Sequence, residues 1–283
     1  MSETIAIALA ETGAPEFLAT LDAISEALHI SDLRCSEDVP PPGTIWPAGI
    51  WHLFREGVST RTTEITVDET EFAIRIFSMA SPEDVELAVA LAEYVAEHVG
   101  VELVSSEQGG SLTPDAIAEY YSAAWAEKQL VSAHHVLNAV VRDRKETIEI
   151  PGPHRSFCLG PRVLLQLGPD QPHLRLLEAI RRVQWIPVRT AGTFLANAKS
   201  DQREIKLAVW LGEEVVFPAV DFAGISADPH AEKPEVFLIP AARVPELAGE
   251  RWTPIDEKQG LLEDFGGDWP ALVAAARKYE TST

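Results

Sequence analysis

The stretch that decides the fold is Ser81–Ser106, SPEDVELAVALAEYVAEHVGVELVSS. Ser81 has the side chain of a helix N-cap, a proline follows it at the first helical position, and Asp84 stands three residues after the serine. These residues predict a helix that begins at residue 82, with apolar side chains at the spacing of one buried face. Gly100 suits the C-terminal cap, and residues 101–105 are predicted as a strand. The predicted buried face consists of Val85, Ala88, Val89, Ala92, Val95 and Val99.

The residues before this helix alternate between strand and helix patterns. A short apolar run predicts a strand over 4–10, and apolar residues at helical spacing predict a helix over 15–30. Prolines and a glycine at 40–43 predict a stiff turn. Two extended segments follow, the first running from 50 to 67 and the second over 71–78. This order is that of a ferredoxin-like (split βαβ) module, in which two helices cover one face of a four-stranded antiparallel sheet.

The remaining chain predicts a second part of mixed class. Thr113, Pro114 and Asp115 predict the start of a long helix that reaches about residue 141. From residue 192 onward strand patterns dominate, and a helix at 268–279 closes the chain. We therefore expect an α+β protein with a ferredoxin-like domain at 1–110. A helical segment and a second mixed, strand-rich α+β part are expected to form a domain at 111–283.

Charge is distributed unevenly along the 283 residues, whose net charge is −21. Residues 1–110 carry 20 acidic and 4 basic side chains, whereas residues 111–190 carry 8 acidic and 10 basic side chains. An acidic surface repels phosphate, so no binding to nucleic acid or to an anionic membrane is expected. A protein partner with a basic surface is compatible with this charge. The acidity also fits the simpler role of keeping a cytoplasmic protein dissolved.

The sequence has no feature of a membrane or exported protein. No apolar run approaches the length of a spanning helix, and the acidic start of the chain is unlike an export signal. Cys35 and Cys158 lie far apart in the sequence, which favours reduced thiols in a cytoplasm over a disulfide framework. Phosphate-loop, dinucleotide-binding, zinc-helix and nucleophile-elbow motifs are missing from the sequence. We therefore assign no catalytic residue, no cofactor and no metal ligand.

The loop Ile150–Arg162, IPGPHRSFCLGPR, carries the side chains best suited to chemistry. Positive neighbours lower the pKa of a thiol, so Cys158 would become a nucleophile if the histidine or the arginines of this loop lay beside it. Prolines stiffen the loop, and forked guanidinium groups bind carboxylates and phosphates. The predicted ligand site consists of His154, Arg155, Cys158, Arg162 and Arg144.

Two functional hypotheses follow from these features. The first is a non-enzymatic cytoplasmic protein-interaction module of adaptor or toxin-neutralising type, supported by the acidic first third and the missing catalytic motifs. The alternative is an enzyme or small-ligand-binding protein that holds an anionic ligand near Arg155. A structural interpretation of the loop competes with the second hypothesis, because its cations can also pair with the acidic first third of the chain.

Overall fold

The computed structural model of the chain describes residues 2–9, 21–36, 49–198, 202–228, 231 and 235–281. The chain divides into two compact units. The first unit comprises Met1–Phe157 and Leu164–Trp185, and the second comprises Cys158–Val163 and Ile186–Thr283. This division falls at other positions than the predicted domain ranges 1–110 and 111–283. That those two ranges fold as independent domains stays a prediction.

The first unit contains a seven-stranded sheet. Its strands are β1 (Glu3–Ala8), β2 (Leu33–Cys35), β3 (Gly49–Arg55), β4 (Thr63–Val67), β5 (Glu71–Ile76), β6 (Val104–Ser106) and β7 (Gly110–Leu112). They lie in the order β2-β3-β4-β5-β1-β6-β7, and every neighbouring pair is antiparallel. The sheet is wider than the four strands predicted, because the segment 50–67 forms two strands and because β2 and β7 lie at the edges.

A turn after Arg55 divides the segment that the sequence predicted as one extended run. Gly57 has φ of 76°, in the left-handed region that glycine adopts without a steric penalty. The Ser59 N–H donates to the Arg55 carbonyl oxygen at 3.0 Å, and the Arg55 N–H donates to the Ser59 hydroxyl at 2.8 Å. These bonds close the turn, so β4 pairs with β3 and places Thr63 opposite Leu53.

Six helices lie in the described part of the chain before residue 185. They are α1 (Leu21–Ala27), α2 (Pro82–Val99), α3 (Ile117–Tyr120), α4 (Ala123–Arg144), α5 (Pro161–Leu167) and α6 (Pro172–Gln184). Two short strands, β8 (Ile148–Ile150) and β9 (Phe157–Leu159), follow α4, and the boundary between the units falls within β9 and again within α5. The helix predicted from residue 113 consists of a 3₁₀ turn followed by α3 and α4. Residues 15–20 of the predicted first helix and the predicted turn at 40–43 lie outside the described residues.

The N-cap and the C-cap predicted for α2 are confirmed. The Ser81 hydroxyl accepts a hydrogen bond from the Asp84 N–H at 3.2 Å, and the Asp84 carboxylate accepts one from the Ser81 N–H at 2.8 Å. Gly100 ends the helix in the left-handed conformation with φ of 72°. The buried face also includes Leu87 and Leu91, whereas Val99, which was predicted to lie on it, is only partly buried. This face belongs to one core with the apolar residues of β1, β4 and β5.

From residue 186 onward, the described residues of the second unit form two sheets and two short helices. Its elements are β10 (Thr193–Asn197), β11 (Glu204–Trp210), β12 (Val215–Phe217), β13 (Phe222–Ser226), β14 (Val236–Pro240), α7 (Val244–Ala248), β15 (Trp252–Pro254), β16 (Gly260–Leu262) and α8 (Trp269–Ala276). One sheet has the order β10-β11-β13-β14, with β11 and β13 parallel and the other pairs antiparallel. The other has the order β12-β16-β15.

Aromatic side chains join the larger sheet of the second unit to α8. The rings of Trp210 and Trp269 lie 5.0 Å apart between centroids in an edge-to-face arrangement. The Trp269 indole N–H donates to the Ser226 carbonyl oxygen at 3.0 Å, so burial of this ring leaves its polar group satisfied. α8 therefore covers one face of that sheet, as the apolar pattern of the closing helix predicts.

Both units combine helices with sheets that are mainly antiparallel, so the predicted α+β class is confirmed. None of the helices in the described ranges is long and apolar enough to cross a membrane.

Candidate protein-interaction surface

Gln184 holds the first part of the predicted ligand site in place. It is the last residue of α6, and its side chain is buried. Its Oε1 accepts hydrogen bonds from the backbone N–H groups of His154 at 3.2 Å and Arg155 at 3.0 Å. Its Nε2 donates to the Arg155 carbonyl oxygen at 2.7 Å. One buried amide thus satisfies three backbone groups of the loop and fixes the path of the chain.

The Arg155 guanidinium lies at the C-terminal end of α6. Its Nη1 donates to the carbonyl oxygens of Val183 at 3.0 Å and Gln184 at 3.1 Å. Carbonyl groups in a last helical turn lack partners within the helix, and a cation there is also favoured by the helix dipole. Burial lowers the pKa of Arg155 from its ordinary value. These contacts explain Arg155 as a helix cap, and the anion-binding role stays a prediction.

The His154 ring packs against two aromatic side chains. Its centroid lies 5.3 Å from that of Phe54 and 4.9 Å from that of Trp185, both edge to face. Burial and the nearby Arg155 lower the pKa of His154 from its ordinary value, which favours the neutral form of the imidazole.

Asp256 organises the second part of the predicted ligand site. Its Oδ2 accepts hydrogen bonds from the Cys158 N–H at 2.8 Å and from Gln259 Nε2 at 2.5 Å. Its Oδ1 accepts from the N–H groups of Lys258 at 2.9 Å and Gln259 at 2.7 Å. The Arg162 guanidinium donates to the Asp256 carbonyl oxygen. Burial raises the pKa of Asp256, although its hydrogen bonds oppose this shift.

The five predicted ligand residues do not all belong to one unit. Arg144, His154 and Arg155 belong to the first unit, whereas Cys158 and Arg162 belong to the second. Arg144 is the exposed last residue of α4. The Cys158 side chain is only 1% exposed, and reactive thiols need access to their reaction partner. The geometry therefore supplies structural roles for most of these residues, and the ligand site itself stays a prediction.

A different feature, which the sequence analysis did not predict, is that the sheet of β10, β11, β13 and β14, called the β10–β14 sheet below, is apolar on both faces. The face toward α8 belongs to the core of the second unit and carries Ala208, Trp210, Ala223, Ile225, Phe237 and Ile239. Alternate residues of each strand point to the opposite face. There the pairing places Phe194 opposite Leu207 and Leu207 opposite Phe222. We call the accessible part of this side the outer face, and it consists of Phe194, Leu207, Val209, Phe222, Val236 and Leu238, whereas Ile205 on the same side is buried.

The outer face is partly exposed. Phe194 is 57% exposed and Val236 is 41% exposed, and the other four side chains are half-buried. Sheets with one face in a core normally carry polar residues on the face that meets water. Contiguous exposed apolar surface on a folded protein marks a site that contacts another molecule. The outer face has this character.

The edge strand β10 adds a second means of association. Its one partner among the described strands is β11, so the N–H and C=O groups of its other edge are turned away from the sheet. Natural edge strands are often protected from pairing by charged residues or proline. β10 has the sequence TFLAN, which carries neither, and Leu195 is 64% exposed. An extended segment of a partner can pair with such an edge.

Acidic side chains lie at the ends of the strands of this sheet. Glu204, Asp221 and Glu235 are exposed at the starts of β11, β13 and β14. The backbone N–H of Lys206 donates to the Asp221 carboxylate at 2.9 Å, which holds that acid at the strand end. An apolar face with acidic ends is complementary to a partner that carries apolar and basic residues.

The sequence does carry a signal for the outer face. Residues 207–211, LAVWL, are apolar without alternation, whereas a strand with one face in water alternates apolar and polar residues. The pattern FLI within β14 has the same character. Such runs predict strands covered on both faces, and the described residues supply a core on only one of them.

Comparison with known proteins identifies the family. Residues 44–201, more than half of the 283-residue chain, match the domain of unknown function DUF4299. The chain belongs to the DUF4299 family. No curated protein and no solved structure matches it. The DUF4299 match begins before β3 and ends after β10, so the exposed edge strand lies inside the family region and β11–β14 lie outside it.

Proposed function

We propose that this DUF4299 protein is a non-enzymatic protein-interaction module, of adaptor or toxin-neutralising type, that binds its partner through the outer face. The observation that carries the proposal is the apolar character of both faces of the β10–β14 sheet. Burial of a side chain the size of phenylalanine contributes about 1.5–3 kcal/mol. Four of the six side chains are already half-buried, so each can contribute only part of this energy, and the two exposed side chains Phe194 and Val236 are expected to contribute most to binding.

The charge of the chain supports a partner with a basic surface. The acidic strand ends border the outer face, and the net charge of −21 raises the encounter rate with a basic protein. The same charge disfavours nucleic acid and anionic membranes as partners. A cytoplasmic location, which the reduced cysteines favour, completes this proposal.

We also propose that the first unit is built on a ferredoxin-like module. Support comes from the strand order β6-β1-β5-β4 within the seven-stranded sheet. A split βαβ module has the same antiparallel arrangement of its four strands. On this proposal β2, β3 and β7 are additions to the module. Interaction proteins are one of many functional classes that use such folds, so the fold alone does not argue for the function.

The test is affinity purification from native lysate with an outer-face variant and a control variant. In the first variant, Phe194→Lys and Val236→Lys place two charges on the outer face at exposed positions. In the control, Leu165→Lys places one charge on α5 at a leucine that is 83% exposed. We expect one stoichiometric partner with the wild type and the control, and at least a tenfold loss of it with the outer-face variant, which is about 1.4 kcal/mol.

Two further measurements complete the test. Far-ultraviolet circular dichroism checks that the outer-face variant stays folded, and a basic partner should elute as salt is raised because exposed charges are screened. Repeated absence of any stoichiometric partner argues against the interaction function. Retention of the partner by the folded outer-face variant moves the interface elsewhere on the molecule.

A further inference from the structure

Glu3 is a buried acid in the core-facing series of β1. Its side chain is 2% exposed, and it alternates along the strand in phase with Ile5 and Ile7. Its Oε1 accepts hydrogen bonds from the Tyr121 hydroxyl at 2.7 Å, the Ser106 hydroxyl at 2.9 Å and the Gln108 N–H at 3.1 Å. All these donors meet one oxygen of the carboxylate.

The second oxygen, Oε2, is buried and has no hydrogen-bond partner among the described residues. A buried polar atom without a hydrogen-bond partner loses its hydration without a compensating interaction, and this costs free energy. Such atoms are rare in folded proteins, and a bound water or ligand is a common explanation. The asymmetry between the two oxygens of Glu3 therefore points to an occupant beside Oε2.

Trp125 supplies a second unpartnered group at the same place. Its indole Nε1 is buried without an acceptor in the described part of the chain. Its ring packs edge to face on Tyr121 with 4.9 Å between centroids, and the Tyr121 hydroxyl is bonded to Glu3. One unpaired acceptor and one unpaired donor thus belong to neighbouring side chains.

Glu3 and Trp125 line the same cavity in the first unit. Its volume open to water is about 20 Å³, and one buried water needs about 10–15 Å³ of such space. Most of the remaining lining is apolar, from β5, the start of α2 and α4, and it includes Ile76, Phe77, Val85, Leu130 and Ala133. The polar residues Ser2, Ser78 and Gln129 also line the cavity, but the two buried groups without a partner there are those of Glu3 and Trp125.

We propose that this cavity binds a hydroxyl group, which donates to Glu3 Oε2 and accepts from the Trp125 indole N–H. A hydroxyl is the smallest neutral group with both functions on one atom. A cation would pair with the carboxylate and leave the indole N–H without an acceptor. An anion would be repelled by the negative charge of the carboxylate. Water and a small alcohol share this chemistry, and the volume of the cavity matches one water, so an alcohol would bind only if the apolar lining moves apart to admit its alkyl part.

Nuclear magnetic resonance of the Trp125 indole N–H in the full chain tests the proposal. The indole signal is assigned by its disappearance in Trp125→Phe, and the measurement itself uses the wild-type protein. We expect cross-peaks between this proton and water whose NOE and ROE have opposite signs, as a water held for longer than nanoseconds gives. The internal control is Trp269, whose indole N–H donates to the Ser226 carbonyl oxygen at 3.0 Å and should show no such cross-peak.

Titration with ethanol separates the two sources of the hydroxyl. A saturable shift of the Trp125 signal, without a matching shift of Trp269, identifies a small alcohol as a ligand. A water cross-peak that ethanol leaves unchanged identifies water. Either result supports the hydroxyl site. Absence of both the water cross-peak and the ethanol shift overturns it, since the cavity is then dry.

Discussion

Replacing Gln184 with alanine should strongly destabilise the first unit. The change removes three hydrogen bonds to the backbone of His154 and Arg155 and leaves those groups without their partner. A net contribution near 1 kcal/mol for each bond gives a loss of about 3 kcal/mol in the free energy of unfolding. The truncation also opens space beside Gly152, where a β-carbon would lie only 2.4 Å from the Gln184 amide.

Urea denaturation followed by tryptophan fluorescence measures this loss. With a denaturant slope of about 3 kcal/mol/M, the midpoint should fall by about 1 M. Gln166→Ala is the control, because Gln166 is an exposed glutamine on α5, and surface substitutions stay within about 0.5 kcal/mol. A loss below about 1 kcal/mol for Gln184→Ala, with the control unchanged, refutes the reasoning, because the loop would then hold its position without the buried amide.

Three other outcomes are expected. Ser81→Ala should cost about 1 kcal/mol of stability in urea denaturation, because Ser81 caps α2, whereas Ser122→Ala should cost less, since the Ser122 side chain makes no capping hydrogen bond. Gly260→Ala should lower the melting temperature, with a cost of about 1–3 kcal/mol, because its β-carbon would lie 2.3 Å from the Trp252 ring. The stability advantage of the wild type over Asp256→Asn should shrink as pH rises from about 4 to 7 in urea titrations. Burial raises the pKa of Asp256 in the folded protein above its value in the unfolded chain. The stabilisation that Asp256 gives to the folded state is therefore fully present below the unfolded-state pKa and is lost as pH rises through the folded-state pKa. A stability difference between the wild type and Asp256→Asn that grows with pH contradicts the raised pKa of Asp256.

The parts of the fold that were predictable are those whose causes are local. The start of α2 depends on Ser81 and Asp84, three residues apart, and both hydrogen bonds of that cap form as predicted. The strands β2 and β7 have three residues each and exist through pairing with distant segments, so no local pattern predicts them. The division of 50–67 into two strands depends on a turn at Gly57 within a segment whose apolar pattern continues on both sides.

The candidate sites show the same difference between local and distant causes. Gln184 acts on residues 29 and 30 positions earlier in the chain, and nothing near it in sequence marks it as the residue that fixes the loop. The outer face was predictable in principle, because the run 207–211 does not alternate. Glu3 was predictable as well, since an acid in phase with Ile5 and Ile7 must lie on the buried face of β1.

The order in which the chain visits the two units has a consequence for synthesis. The path enters the second unit at Cys158, returns to the first at Leu164 and leaves it only after Trp185. While the ribosome is still adding residues before 185, the nascent first unit lacks α6 and the amide of Gln184 that holds the 154–155 backbone. The first unit can therefore reach its final structure only after residue 185 has been translated, and fragments cut at residue 157 should remain incomplete.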